Sequence, residues 1–278
     1  MDSQLRSNGS NTRPNPQAAA RSTARSRVAG RVERVVNTAL AGEKAAVLNA
    51  TAPELLGEPA PVVDVIAEAL GRPGTGVMAH WNLHEMLRRS KLHEDLINSL
   101  TAANPVTRAA AARLCGALRM TDAVIWIADL VADPDPRVRD AAVRALGHMG
   151  GRRAVETLMA NADRIPLYRL AISLSEAASD VDIEALMRAP ANERAAVATV
   201  LACGLRCDRL RISPLLGIAH DRRWPNPVRI AACKSLATIG DRGAADGLRR
   251  LALSDPDGKV KEAADRAHKR LVRRVVAR

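Results

Sequence analysis

Apolar and small residues recur at helical spacing along most of the chain. Counting from Val138 they fall at i, i+3, i+4, i+7, i+8 and i+11, as Val138, Ala141, Ala142, Ala145, Leu146 and Met149. That spacing is one face of an α-helix. The same slots hold Val228, Ala231, Ala232, Ser235, Leu236 and Ile239 further on, and Ala110, Ala111, Leu114, Cys115 and Leu118 earlier. Alanine in the middle of the stripe lets neighbouring helices approach closely. Between these segments lie second, more hydrophobic ones, expected as helices over 123–130, 154–162, 182–187, 210–219 and 244–253. Trp126, inside AVIWIADL, is expected in the core.

Each alanine-rich helix follows a polar turn of Pro with Asp or Asn, then a basic residue. The turns read NPVTRAAAARLCGALR from Asn104, DPDPRVRDAAVRALGHMG from Asp133, NPVRIAACKSLATIG from Asn226 and SDPDGKVKEAADRAHKRL from Ser254. Aligned on the basic residues Arg108, Arg139, Arg169, Arg194, Arg229 and Lys261, the steps are 31, 30, 25, 35 and 32 residues. A period near thirty built of two helices marks a solenoid, because one helical hairpin cannot bury its apolar face alone and must stack on its neighbours. The step shortens after Arg169, where Glu176 also stands in an apolar slot, so a bend in the stack is expected there. The fold expected is all-α: a right-handed α-solenoid of about six to seven stacked antiparallel hairpins.

The pattern resembles the HEAT repeat family, in particular the short bacterial type associated with phycobilin lyases, over roughly 60–275. The resemblance implies a ladder of hydrogen bonds between interhelical Asp residues and the basic anchors, here Asp135 with Arg139, and Arg108, Arg229 and Lys261 at equivalent places. It assigns those residues a structural role.

Composition narrows the alternatives. Phe is absent, Tyr168 is the single tyrosine, and there are three Trp, so the core must be built from Ala, Leu, Val and Ile. That suits tightly packed helices. No run of about 18 apolar residues is available to span a bilayer, and the N-terminus lacks a signal-peptide core. The chain is expected in the cytoplasm. Of four cysteines, Cys115, Cys203 and Cys233 fall on the alanine-rich helices, where a reduced thiol is an ordinary buried side chain. Cys203 and Cys207 could share a helix face, but no second pair of ligands accompanies them.

Charge is concentrated at the two ends. Residues 1–34 hold seven Arg against Asp2 and Glu33, residues 205–278 hold eighteen basic and eight acidic residues, and the middle is slightly acidic. Residues 1–30 are expected to form a disordered basic arm, 31–275 the solenoid with 31–60 as its first helical cap, and 259–278 a basic capping helix. On that last helix Lys269, Arg270, Arg273 and Arg274 are among the basic residues that crowd the circumference left by the apolar stripe. Nucleic acid, anionic lipid or an acidic protein could each use such a face.

Enzymatic readings rest on one constellation. His84-Glu85 and His93-Glu94 are similar to the His-Glu pairs with which HEAT-like deoxyhypusine hydroxylases bind a di-iron centre. Here the pairs are nine residues apart rather than one repeat apart, and no second set occurs in the C-terminal half. A solvated helix flank is the favoured reading. Trp126 and Asp129, one turn apart, resemble residues of HEAT-like alkylpurine glycosylases but also form a common helix pairing. A bilin pocket would need more aromatics. No Gly-rich phosphate loop is present. The expectation is a non-enzymatic scaffold for a protein partner, with no cofactor and no metal, and with weak phosphate-backbone binding to nucleic acid as the alternative.

Overall fold

The structure, a computed structural model, describes residues 91–276 in continuous sequence together with the isolated positions Gly30 and Asn37, and the side chains from 93 to 273. The arm expected over 1–30 and the cap expected over 31–60 therefore lie outside the described residues. The chain divides into two units after Leu92, and the second is an α-solenoid without strands among its described residues.

Among the described residues from 91 onward, twelve α-helices follow one another: α1 (Lys91–Leu100), α2 (Pro105–Ala117), α3 (Val124–Leu130), α4 (Pro136–Met149), α5 (Gly151–Ala160), α6 (Leu167–Ala177), α7 (Asp180–Arg188), α8 (Glu193–Leu205), α9 (Ile212–His220), α10 (Asn226–Ile239), α11 (Ala245–Ser254) and α12 (Gly258–Val276). The even-numbered helices pack directly on one another in order, α2 on α4 through to α10 on α12, and form a continuous row. The odd-numbered helices form a looser second row behind them. Among the described residues no helix is long and apolar enough to cross a membrane.

The polar turns start the even row. Asn104 accepts the Val106 N–H at 2.9 Å with Pro105 in the first turn, and Asp135 accepts the Arg137 N–H at 2.7 Å with Pro136 in the same place. Proline there gives up an N–H that the helix does not use, while the side-chain oxygen satisfies one that would otherwise be orphaned. Helix α7 starts earlier than its hydrophobic stretch suggests, because Ser179 and Asp182 close a reciprocal capping box. Left-handed residues end several helices, Gly150 and Gly240 with φ of 66° and 77°, and Arg119 and Cys207 both at 52°.

Small residues set how closely the even row packs. A Cβ added to Gly116 of α2 would lie 2.6 Å from the Ala145 Cα of α4, and one added to Gly204 of α8 would lie 2.8 Å from the Ser235 Cα of α10. Gly217 of α9 faces nothing within 4 Å. Gly116→Ala is therefore expected to destabilise by about 1–3 kcal/mol through forced separation of α2 and α4. Gly217→Ala should stabilise by roughly 0.5–1 kcal/mol through helix propensity. Opposite shifts in thermal midpoint check the pair, and equal shifts would contradict it.

Trp126 departs from expectation, being 38% exposed with Ile125 beside it at 63%. Helix α3 is only two turns long, and its buried face is Val124, Ile127 and Leu130. Trp126 sits about 100° from the centre of that face. Leu210 is likewise exposed, because it lies in the 3-10 turn Arg209–Arg211 that precedes α9.

Candidate interaction groove

The anchors sort into two kinds once each helix is counted from its N-cap. The fourth residue after the cap is Arg108, Arg139, Leu170, Ala196, Arg229 and Lys261 for α2 to α12 in turn. Leu170 and Ala196 are buried apolar residues, so the two central helices have lost the anchor. Arg169 instead pairs at 2.9 Å with Asp140 of α4. Arg194 reaches back to the Ala162 and Ile165 carbonyls. The irregular steps of 25 and 35 residues arise because those two arginines are not equivalent to the others.

Two of the four anchors, Arg108 and Arg229, tie one turn to the next. Arg108 donates to Asp133 at 2.8 and 3.0 Å and to the Ala102 and Ala103 carbonyls at 2.8 and 2.9 Å. Arg229 is paired with Asp255 through Nη1 and Nη2, and its Nε donates to the Ala219 carbonyl at 3.0 Å. Arg139 takes the Asp133 and Pro134 carbonyls. The Arg139 N–H donates to the Asp135 carbonyl within the first turn of α4, but the expected pairing of the Arg139 guanidinium with the Asp135 carboxylate is not formed. Asp135 is occupied by its own helix terminus and by the Arg137 side chain at 2.9 Å. The carboxylates that reach an anchor belong to Asp133 and Asp255, which are buried and also accept the N–H groups of Asp135 and Asp257. Lys261 occupies the same register on α12.

These carboxylates carry the acid sensitivity of the stack. The hydrogen bond from Arg108 chiefly holds Asp133 below the ordinary carboxylate range. Burial alone would raise Asp255, and the Arg229 guanidinium with the Asp257 N–H outweighs it, so Asp255 is lowered too. Arg137, by side chain and backbone, lowers Asp135 to about 2. A depressed carboxylate contributes stability that is fully present above its unfolded value of about 3.9 and is lost as pH falls through its folded value. The thermal midpoint should thus stay level from pH 7 to about 4 on account of these groups and fall below that. Asp133→Asn should show a shallower fall, which melts at stepped pH would detect.

The outward face of the even row carries a pattern set by the same register. Five residues beyond the anchor position stand Arg113, Arg144, Ser175, Leu201, Lys234 and Arg266. At the N-terminal end a 500 Å³ cleft between α2 and α4 is lined by Val106, Ala109, Arg113, Arg137, Asp140 and Arg144. There Arg144 is bonded to Asp140 at 2.9 Å. Across α6, α8, α10 and α12 runs a groove of about 540 Å³. Its floor is Tyr168, Leu201, Leu205, Ala237, Ala263 and Ala267, and its polar lining includes Lys234, Arg266 and Arg270. Tyr168 is 63% exposed. Measured from the N-cap of each helix, the four cations Arg113, Arg144, Lys234 and Arg266 and Leu201 share one level.

The remaining candidates scatter. Lys269 is bonded to Asp265 at 2.7 Å, Arg270 lines the groove and Arg273 is exposed, while the Arg274 side chain lies outside those described. His93 Nε2 is 2.6 Å from Asp122 Oδ2 and Glu94 is exposed. His84 and Glu85 lie outside the described residues. Burial pushes the Cys115 and Cys233 thiols up to about 12 and that of Cys203 to about 11. At neutral pH they are protonated side chains of the core. Cys207 sits past the end of α8, away from the face that buries Cys203.

No curated protein is matched by the chain. Among solved structures, human deoxyhypusine hydroxylase in complex with glycerol is similar at 15% identity and a TM-score of 0.35, covering 93% of this chain and all of that one. Two engineered proteins are similar at 20% identity each, with TM-scores of 0.31 and 0.28. They cover 80% and 87% of this chain and 96% and 68% of their own. These likenesses carry no inference about activity. The family model of HEAT repeats matches residues 94–175 and 180–268. Those two segments span more than half of the chain and cover most of the described solenoid, and the chain belongs to the HEAT repeat family.

Proposed function

We propose that this protein is a non-enzymatic interaction scaffold that holds a protein partner on the outward face of its even-numbered helices. The observation that carries the reading is the groove over α6 to α12. There, an exposed tyrosine and two half-buried leucines line one groove on the row. Exposed apolar surface rimmed by polar groups is characteristic of a protein contact. Helix α12, with Lys259, Arg266, Lys269 and Arg270 outward, supplies the polar face that an open stack needs at its end. Protonated, unpaired thiols suit a reducing compartment, and we place the protein in the cytoplasm.

The recurring cations support nucleic acid as a second reading. The two differ in salt dependence. Phosphate contacts release counterions, so duplex binding should fall with a log-log slope of about −0.9 per phosphate contacted, whereas an apolar groove shows a much flatter dependence. The protein is expected to bind a duplex only weakly at about 150 mM salt. Affinity capture with and without nuclease, using the native chain and a Leu201→Asp variant, tests the proposal. A partner retained after nuclease and lost with the variant supports it. Tight, sequence-specific duplex binding that survives Lys269→Gln, Arg270→Gln, Arg273→Gln and Arg274→Gln together would overturn it.

A further inference from the structure

We infer that the groove over α6, α8, α10 and α12 takes an acidic amphipathic peptide segment: one or two aliphatic side chains flanked by Asp or Glu, laid across the helices along the stack. The inference rests on the scaffold reading and specifies the partner's chemistry. The floor is apolar, with Tyr168 at its α6 end, Leu201 and Leu205 on α8, and Ala237, Ala263 and Ala267 further along. The charged groups lining it are all cationic, Lys234, Arg266 and Arg270. Of these only Arg266 has a carboxylate partner among the described residues, Glu262 at 2.7 Å on the same helix. Lys234 and Arg270 have none there, so two cations stand beside an apolar floor without a carboxylate partner among the described residues.

The register adds direction. Along the level that carries Leu201 the sequence of side chains is Arg113, Arg144, Ser175, Leu201, Lys234 and Arg266, an uncharged centre with a cation pair on each side. It is where α6 and α8 lost their anchors that the face turns uncharged: the helices that bury Leu170 and Ala196 are the ones that bring Tyr168 and Leu201 to the groove. Packed helices lie about 8–10 Å apart, so four of them span roughly 27 Å, the reach of about eight extended residues. A segment of that length with its aliphatic side chains over Leu201 and Leu205 brings its carboxylates to Lys234 and Arg270. A nucleic acid would also meet the cations. It would, however, lay phosphates and sugars over the two leucines and find one aromatic ring to stack on, where sequence-tolerant single-strand binding uses a series of them.

A random peptide display library selected against the full-length protein tests this. Enriched peptides are expected to be acidic with one or two Leu, Ile or Phe residues. The best of them should lose at least about tenfold in affinity against Lys234→Glu/Arg266→Glu/Arg270→Glu, and selection on that variant should enrich Lys and Arg in place of Asp and Glu. Because Glu262 would then face a like charge, the neutral variant Lys234→Gln/Arg270→Gln serves as a second check, with helical circular dichroism confirming the fold of both. It should weaken the acidic peptides without favouring basic ones. Enriched peptides without an acidic bias that are still lost with Tyr168→Ala or Leu201→Ser would overturn the acidic specificity and leave the scaffold reading intact. Peptides indifferent to every one of these substitutions, or no enrichment at all, would overturn both. Displacement of the acidic peptides by a short duplex DNA at about 150 mM salt would transfer the groove to the nucleic-acid reading.

Discussion

Replacing Asp255 with alanine is expected to cost about 3–5 kcal/mol, among the largest effects of any single surface-remote change in the stack. Arg229 and Asp255 are each only 2% exposed at the side chain. Arg229 comes from the start of α10, and Asp255 from the turn between α11 and α12. Removing the carboxylate leaves a guanidinium in the interior with one carbonyl, that of Ala219, and the Asn226 side chain to hold it. The cost lies in the uncompensated charge rather than in the lost attraction. The double variant Arg229→Met/Asp255→Leu, which removes both charges, should therefore recover most of the loss. The equivalent rung, Arg108 with Asp133, is more open on the arginine side at 14%, so Asp133→Ala should cost less. Glu156→Ala breaks the exposed pair with Arg152 and should stay within about 0.5 kcal/mol. Denaturant midpoints of these four variants give the order. An Asp255→Ala midpoint no lower than that of Glu156→Ala would show that the buried pair is not what ties α12 to the row.

The contrast between rungs also explains what could be read from the sequence and what could not. The alanine-rich helices were legible because their signal is local: a 3.6-residue stripe, preceded by Asn or Asp with Pro, identifies an element without reference to its neighbours. Membership in the HEAT repeat family follows from the same local signal repeated. The second row was legible as helices but not in its ends, since the Ser179 and Asp182 box and the 3-10 turn before α9 depend on side-chain hydrogen bonds that hydrophobicity does not report. Trp126 lies outside its expected core position because α3 has a narrow buried face and a seven-residue helix gives the stripe too few turns to fix its centre. Asp135 was paired with the wrong arginine for a related reason. Asp133 and Asp135 stand two apart in one turn, and only the path of the backbone decides that the first looks inward to Arg108 and the second caps α4.

The groove was the least legible feature. Aligning on basic residues put Arg169 and Arg194 in the anchor series, and in doing so moved the central helices out of register by one and two positions. Counted from the caps, Leu170 and Ala196 take the anchor place and Leu201 falls level with Arg113, Arg144, Lys234 and Arg266. The error was one of phase. A solenoid repeats a backbone, and its side chains are free to depart from the repeat wherever a local substitute exists. Here apolar burial at Leu170 and Ala196 replaces the hydrogen-bonded anchor, and the altered face that results is the one that offers a partner something other than charge.

Leu146→Asp is expected to unfold the centre of the stack. Leu146 is fully buried in α4, the helix that packs against α2 and α6 within its row and α3 and α5 behind it. Loss of the leucine alone would cost about 2–5 kcal/mol. The introduced carboxyl would add a buried polar group with no partner, worth a further few kcal/mol. The total is of the order of the roughly 5–15 kcal/mol that holds an ordinary domain together. Arg144, two residues earlier, is exposed and pairs with Asp140, which Arg169 also holds. Arg144→Ala should consequently change stability by no more than about 0.5 kcal/mol. The pH dependence separates the two contributions in the leucine variant. A carboxyl buried without a partner has its pKa raised, so relative to the unsubstituted chain the deficit is largest at neutral pH and shrinks as pH falls and the group is protonated. Leu146→Asn has a similar shape and no charge to lose, and its deficit should not move with pH. Thermal melts of the three chains between pH 7 and 5 stay above the range in which Asp133, Asp135 and Asp255 begin to titrate. A deficit of equal size for Asp and Asn at every pH would place the cost in packing alone, and a melt of Arg144→Ala as low as either would mean that the outward face of α4 is not free.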